Sequence, residues 1–406
     1  MEVLIYLTSI SVILLIGLLI SILSNKLKIS NILLLIISGI LISFIRYNGN
    51  PIFAFPPVFL VSIATLALVM IVFDGASRMK FKELDTMSSQ ALKLTGIFII
   101  INMIFIGFLT YLLFFNKFTM TNIILSLVFA VLMSGTDPGS IFILFKNKTH
   151  KVLDFLKVEA IVNTPIVVLI PFILLDFISG DQSVSLISQI GPFLQQIVTG
   201  VGAGIVVGII IFKAMRKAYS VEFSPVALLT ATLITYIVAE NLGGNGVLGV
   251  ATLGLLFGNM YVKNKMRLSE FSSILSNSLE ILVFVLIGII IQIPWEIWFF
   301  VKSLILFGVV ILCRYLALRI SVAKEYNKKE LLFMSLNIPK GIAVATVIFT
   351  IALININNVS TLVNLTLISV IYSLLVSTIT TMVAKSFINV KEKETIITNN
   401  ITNKGK

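Results

Sequence analysis

Charge is scarce in this chain. Charged residues make up 12% of its 406 residues, while 58% are hydrophobic. A soluble domain is usually nearer one quarter charged. Too few charges remain to coat a water-exposed surface of this size, which excludes an ordinary soluble protein. Cysteine is nearly absent too, and the single Cys313 excludes an intrachain disulfide. The one histidine, His150, lies in a basic loop with no nucleophile, base and orienting group around it. No nucleotide-binding or metal-cluster motif occurs. The chain therefore does not read as an enzyme, and no cofactor is expected.

Long apolar runs fill the space that charge leaves. They repeatedly exceed the ~20 residues that a membrane-spanning helix needs. About thirteen candidate helices can be placed, at 3–24, 29–46, 56–76, 89–115, 120–145, 154–178, 189–214, 223–240, 245–262, 270–293, 297–320, 329–353 and 361–385. The first run is too long for a signal-peptide core and lacks a basic leader, so it reads as a retained span. The expectation is an all-α polytopic membrane protein, with a transmembrane domain over 1–388. A polar tail over 389–406, rich in Lys, Asn and Thr, reads as disordered.

The net charge of +12 reflects loops rather than nucleic-acid binding. Loops after odd-numbered spans, with the last span end and the tail, carry 24 Lys and Arg residues; loops after even-numbered spans carry 2, Arg46 and Lys117. Basic residues gather on the cytoplasmic side of membrane proteins. The N-terminus is therefore expected outside, the C-terminus in the cytoplasm, and the chain in the plasma membrane.

Two spans are interrupted. In "GTDPGS" (135–140), Pro138 follows Asp137 inside the fifth span. Proline removes a backbone donor and pushes its predecessor out of helical geometry. Such backbone survives at membrane depth only when buried in protein or facing a cavity. The twelfth span carries "NIPKGIA" (337–343), where Pro339 and Gly341 flank Lys340. Spans five and twelve are seven apart, so they cross in opposite directions, as in an inverted repeat. Matched breaks in two inverted halves point to a secondary transporter's binding site.

Charges inside spans are rare and usually functional or paired. Asp137, Arg314 and Lys340 lie deepest, and Glu159 lies nearer a span end with Asn163 four residues on. Glu159 can pair with Lys340 or with Arg314, leaving Asp137 to titrate. Burial favours the neutral acid and a bound cation favours the carboxylate. A proton and a metal cation then compete for one group, which is the chemistry of exchange. Asp176, Glu240 and Lys302 fall near span ends; Glu280, well inside the tenth span, is a lesser candidate that a basic group would pair.

"GTDPGSIFILF" followed by "VEAIVNTPIVV" resembles the paired motifs of monovalent cation/proton antiporters of the NhaP type. "IVFDGASRMKF", "NGVLGVATLGLLFGN", "FVLIGI", "CRYLAL" and "IPKGIAV" resemble further segments of that family, in the same order. The resemblance implies two crossed, discontinuous helices, alternating access, a homodimer in the lipid bilayer, and exchange of Na⁺ or another alkali cation for H⁺. It places Thr136, Asp137, Asn163, Thr164 and Asp74 at cation- and proton-binding positions, with Glu159, Lys340 and Arg314 as charge-pairing core residues. The family's principal carrier aspartate is Thr164 here, which can offer an oxygen but cannot carry a proton. A proton-independent cation carrier, or a transporter-like sensor that moves nothing, is the alternative this substitution suggests.

Overall fold

The computed structural model describes residues 2–392 apart from 28–30, 48–49, 52, 54, 79–80, 116, 138–140, 142–147, 177, 179–185, 218, 291–293, 295, 353–355 and 389–390. Helices dominate: α1 (Glu2–Leu27), α2 (Asn31–Ser43), α3 (Pro57–Ser77), α4 (Phe81–Phe114), α5 (Met120–Leu132), α6 (Lys151–Asp176) and α7 (Leu186–Lys217). Then follow α8 (Phe223–Asn241), α9 (Gly246–Asn259), α10 (Lys265–Ile290), α11 (Ile297–Val322), α12 (Lys328–Leu336), α13 (Ile342–Ala352) and α14 (Val359–Met382). Among the described residues, nine helices are long and apolar enough to cross a membrane, with shorter apolar helices at α2, α5, α9 and α13. This is a multi-pass membrane protein.

Each expected span has its helix, and the interrupted ones are broken. The twelfth span is two helices, α12 and α13, separated by non-helical residues 337–341. The fifth ends its first half at Leu132, and residues 135–137 leave the helix. Pro138, the expected breaker, lies outside the described residues. Some helices overrun the apolar letters: α4 starts at Phe81 rather than at 89, because the polar stretch before Ser89 contains Lys, Glu, Leu and Met, which form helix well.

Burial sorts the helices into a centre and a periphery. The apolar windows of α3 and α14 are 61% buried, whereas that of α1 is 22% buried. Exposed Leu, Ile and Phe on α1, α4, α7 and α11 suit lipid rather than water. Without a hydrophobic drive between helices in lipid, close packing depends on small residues. The α2–α10 pair shows this. A Cβ on Gly39 would lie 2.2 Å from the Val285 carbonyl oxygen, and one on Gly288 would lie 2.2 Å from that of Ile36.

The two ends of the bundle are held by different bonds. At the end holding the even-numbered loops, Lys302 Nζ donates to the Leu113 carbonyl at 2.9 Å, and Asn358 Nδ2 donates to Asn122 Oδ1 at 2.9 Å. At the other end, Lys151 Nζ donates to the Glu325 carbonyl at 2.9 Å. Glu330 and Asn327 there form a reciprocal cap on α12. Also at that end, Lys148–Thr149 pair antiparallel with Lys391–Glu392, the part of the expected tail that is described. The alternation of loops between two ends is thus a feature of the fold.

Gly288→Leu should overpack the α2–α10 contact and cost about 1–3 kcal/mol. Thermal unfolding of the detergent-solubilised protein would read this as a lowered midpoint; an unchanged midpoint would contradict the close approach.

Candidate functional site

A broken helix leaves its last carbonyls and first N–H groups without partners inside the membrane. The two breaks here serve each other. Lys340, fully buried, donates from Nζ to the Met133 carbonyl at 2.8 Å and also to the Gly135 carbonyl, at the end of α5. A cation suits that end of the helix dipole. In the other direction, the Asp137 carboxyl lies against the start of α13. A Cβ on Gly341 would sit 2.3 Å from Asp137 Cγ, so only glycine admits the contact. An acid suits a helix start for the same electrostatic reason. The Asp137 N–H donates to the Pro339 carbonyl at 2.9 Å, and the Lys340 N–H donates to Ser373 Oγ at 2.9 Å, which fixes the second break to α14.

The Glu159 pairing is settled by geometry in favour of Arg314. Arg314 Nη1 donates to Glu159 Oε1 at 2.8 Å and Nη2 to Oε2 at 2.6 Å, and both residues are fully buried. The planar guanidinium matches a carboxylate in this two-bond fork, whereas an ammonium cannot. Phe98 lies under the guanidinium with its ring centre 5.1 Å away. Lys340 is engaged with α5 carbonyls instead. Asn163 Nδ2 donates to the Ser134 carbonyl at 2.9 Å, to Glu159 Oε1 at 3.2 Å and to Thr136 Oγ1 at 3.3 Å. Asn163 thus braces the break of the fifth span against α6.

Thr136, Asp137 and Thr164 meet at a small cavity, together with Gly135, Val167, Gly341, Ala343 and Val344. Thr164 spends its proton on the Ala160 carbonyl at 2.7 Å, so its oxygen can only accept or coordinate. A larger cavity follows along the same two helices, lined by Val168 and Phe172 of α6 and Val347 and Thr350 of α13. It reaches Glu240, Gly243 and Asn245, at the end that holds the even-numbered loops.

Asp74 does not join the small cavity. It is ion-paired with Arg78, one helical turn on, at 2.7 Å, and accepts from Ser273 Oγ at 2.9 Å. Glu280, expected to find a basic partner, has none among the described ion pairs; it is buried, and its Oε1 has no hydrogen-bond partner among the described residues. Sequence reasoning missed Asn102, whose Nδ2 donates to Ser134 Oγ at 2.9 Å, and Ser373. A lone Asn in an apolar run was a signal for the first. Ser373 carried none, since serines recur throughout that span.

Comparison with known proteins agrees with this architecture. The family model described as "Sodium/hydrogen exchanger, transmembrane" matches residues 10–385. The chain is 26% identical over 234 residues to the Na(+)/H(+) antiporter ApNhaP of Aphanothece halophytica, covering 56% of this chain but 44% of that protein. It therefore spans less than half the length of that relative. It is 24% identical over 364 residues to Na(+)/H(+) antiporter 1 of Methanocaldococcus jannaschii, covering 84% of this chain and 82% of that protein. The solved structure of the sodium proton antiporter MjNhaP1 from the same organism superposes with a TM-score of 0.78 at 20% identity, over 95% of this chain and 99% of that one. The likeness establishes a shared fold.

Arg314→Met would leave the Glu159 charge buried and unpaired, at a cost of about 3–5 kcal/mol. Thermal unfolding in detergent should show this loss, with part of it recovered by adding Glu159→Gln; equal midpoints for wild type and Arg314→Met would contradict the pairing.

Proposed function

The chain belongs to the sodium/hydrogen exchanger family, and from that premise we propose that it exchanges a monovalent cation, Na⁺ before other alkali ions, for protons by alternating access. The observation that carries this reading is the mutual bracing of the two breaks, Lys340 on the end of α5 and Asp137 on the start of α13. It puts exposed backbone dipoles, a carboxylate and two threonine oxygens around one small cavity in the middle of the bundle. Alkali cations take oxygen ligands, and Asp137, Thr136 and Thr164 offer them. Discontinuous helices at the centre of inverted halves are the usual architecture of an ion-coupled carrier. The names of the relatives, sodium/proton antiporters, support the same substrate class.

The larger cavity near Glu240 would be the outer vestibule, since the loops at its end carry 2 basic residues against 24 elsewhere. In this reading the N-terminus lies outside and the C-terminus in the cytoplasm, in the plasma membrane. A homodimer in the bilayer completes the reading.

Purified protein in lipid vesicles with an acidic lumen should raise the luminal pH when Na⁺ is added outside, and Asp137→Asn should abolish this. Thr164→Asp puts a titratable carboxyl in the same cavity and should make exchange steeper in pH. Sodium flux with no accompanying proton movement would overturn the exchange reading in favour of a proton-independent carrier. Transport unchanged in Asp137→Asn would remove Asp137 from the site.

A further inference from the structure

An exchanger needs a group that takes up a proton when the cation leaves. The residues around the cavity are poorly placed for it. Thr164 has no proton to exchange. Glu159 is committed to Arg314 in a two-bond fork. Asp137 packs its carboxyl on the start of α13, where the helix dipole favours a fixed negative charge. Asp74, 13% exposed, is already held in an ion pair with Arg78.

Glu280 differs from all of these. It lies on α10, 4% exposed, with Oε1 unpartnered among the described residues. Its surroundings are ordered by a repeating contact between α10 and α3. Ser273 Oγ donates to Asp74 Oδ1 at 2.9 Å, and Ser276 Oγ donates to the Met70 carbonyl at 2.9 Å. Ser273, Ser276 and Glu280 are spaced three and then four apart, so they share one face of α10. As α10 advances, its α3 partners step back from Asp74 to Met70, so the helices run antiparallel. The same register carries Glu280 one turn deeper along α3. Ser272 adds a second buried oxygen on this side of α10 with no partner among the described residues. At the shallow end, Arg78 Nη2 donates to Ser273 Oγ at 2.8 Å, and the Arg78 side chain is 39% exposed. The seam thus runs from exposed Arg78, through Asp74, Ser273 and Ser276, to Glu280. Among the described residues, Asp137, at the helix break, and Asp74, on α3, are near enough to repel a charge on Glu280.

We propose that Glu280 is a proton-carrying residue of the exchange cycle, set beside the Asp137 cavity and connected to the Arg78 end of the molecule by the polar face of α10 against α3. The proposal rests on the exchange reading above. Glu280 is buried with no ion-pair partner among the described residues, a setting that favours the neutral acid over the carboxylate. When the site faces the Arg78 end and a cation settles at Asp137, Glu280 gives its proton to that side through the seam and keeps the electron pair; when the site faces the opposite side and the cation departs there, Glu280 takes a proton from that side, so each cycle carries one proton against one cation. One positive charge enters the region as one leaves. In this arrangement, the acid missing at Thr164 is replaced by one on a different helix.

The test uses the full-length protein in lipid vesicles, with two measurements on each variant. One is proton movement driven by added NaCl, with choline chloride as the control. The other is exchange of radioactive sodium for unlabelled sodium at equal pH, which needs no proton. Wild type should show both. Glu280→Gln should lower proton movement about a hundredfold or more, as when an essential proton carrier is removed, while sodium-for-sodium exchange persists. Glu280→Asp should retain proton movement with a displaced pH profile, which a purely packing role would not produce. Proton movement in Glu280→Gln equal to wild type overturns the proposal, and so does parallel loss of both fluxes. If the Gln variant does not fold, Glu280→Asp decides, and a pH profile identical to wild type overturns the assignment. Absence of proton movement in the wild type itself, with any alkali cation, refutes the exchange reading rather than the placement of the acid.

Discussion

The constraint on which the structure turns is the reciprocal neutralisation of two helix ends inside lipid. A helix interrupted at membrane depth exposes carbonyls at one end and N–H groups at the other, each costing several kcal/mol if left alone. Lys340 answers the carbonyls of α5, and Asp137 answers the start of α13. Neither break is tolerable without the other, because each supplies the other's countercharge. The close fit of Gly341 on the Asp137 carboxyl and the backbone bond from Asp137 to Pro339 make the two breaks one object. The cavity forms where the breaks meet: uncoiled Gly135, Thr136, Asp137 and Gly341 make part of its wall, and Thr164 and Val167 of α6 with Ala343 and Val344 of α13 make the rest.

A second, buried network holds this object in place. The Glu159–Arg314 fork, braced by Asn163 and Thr136 and floored by Phe98, links α6, α11, α4 and the break of the fifth span. Ion pairs this deep stabilise little in total, since desolvation offsets most of the attraction, but they strongly oppose alternative partners. Here that leaves Lys340 to α5 and Glu159 to Arg314. An exchanger that rocks between two states needs its fixed charges fixed, so that only the cargo and the carrier acid change.

Much of the fold was legible in the letters. Apolar runs marked the spans, and loop charges marked the two ends. Proline and glycine marked the breaks, because their effect on backbone is local. Thr136, Asp137 and Thr164, three of the residues that line the cavity, stand in the Thr-Asp-Pro and Asn-Thr-Pro segments that the resemblance picked out, whereas Asn163 and Asp74 do not line it. Partner choice was less accessible. Glu159 had two cations within reason, and only the register between α6 and α11 decided. Asp74 looked like a site residue, although Arg78, four residues on, was already placed to pair with it. Glu280 was expected to have a basic partner, and that none of the described ion pairs includes it could be seen only once the helices were packed. Local chemistry is written in sequence; juxtaposition across a bundle is written in the helix register, which a single chain does not display.

The central charges also set a problem of timing during synthesis. Glu159 and Arg314 are separated by 155 residues. At about 5–20 residues per second, the acid is made roughly eight to thirty seconds before its cation exists. The first half of the protein is therefore made with Glu159 unmatched and its broken helix unbraced. Those segments must be sheltered, in protonated form or in the aqueous interior of the insertion machinery, until the second half arrives. Assembly of the site is thus the last act of insertion, and a chain truncated before α11 would leave the membrane with a half-built and electrically uncompensated core.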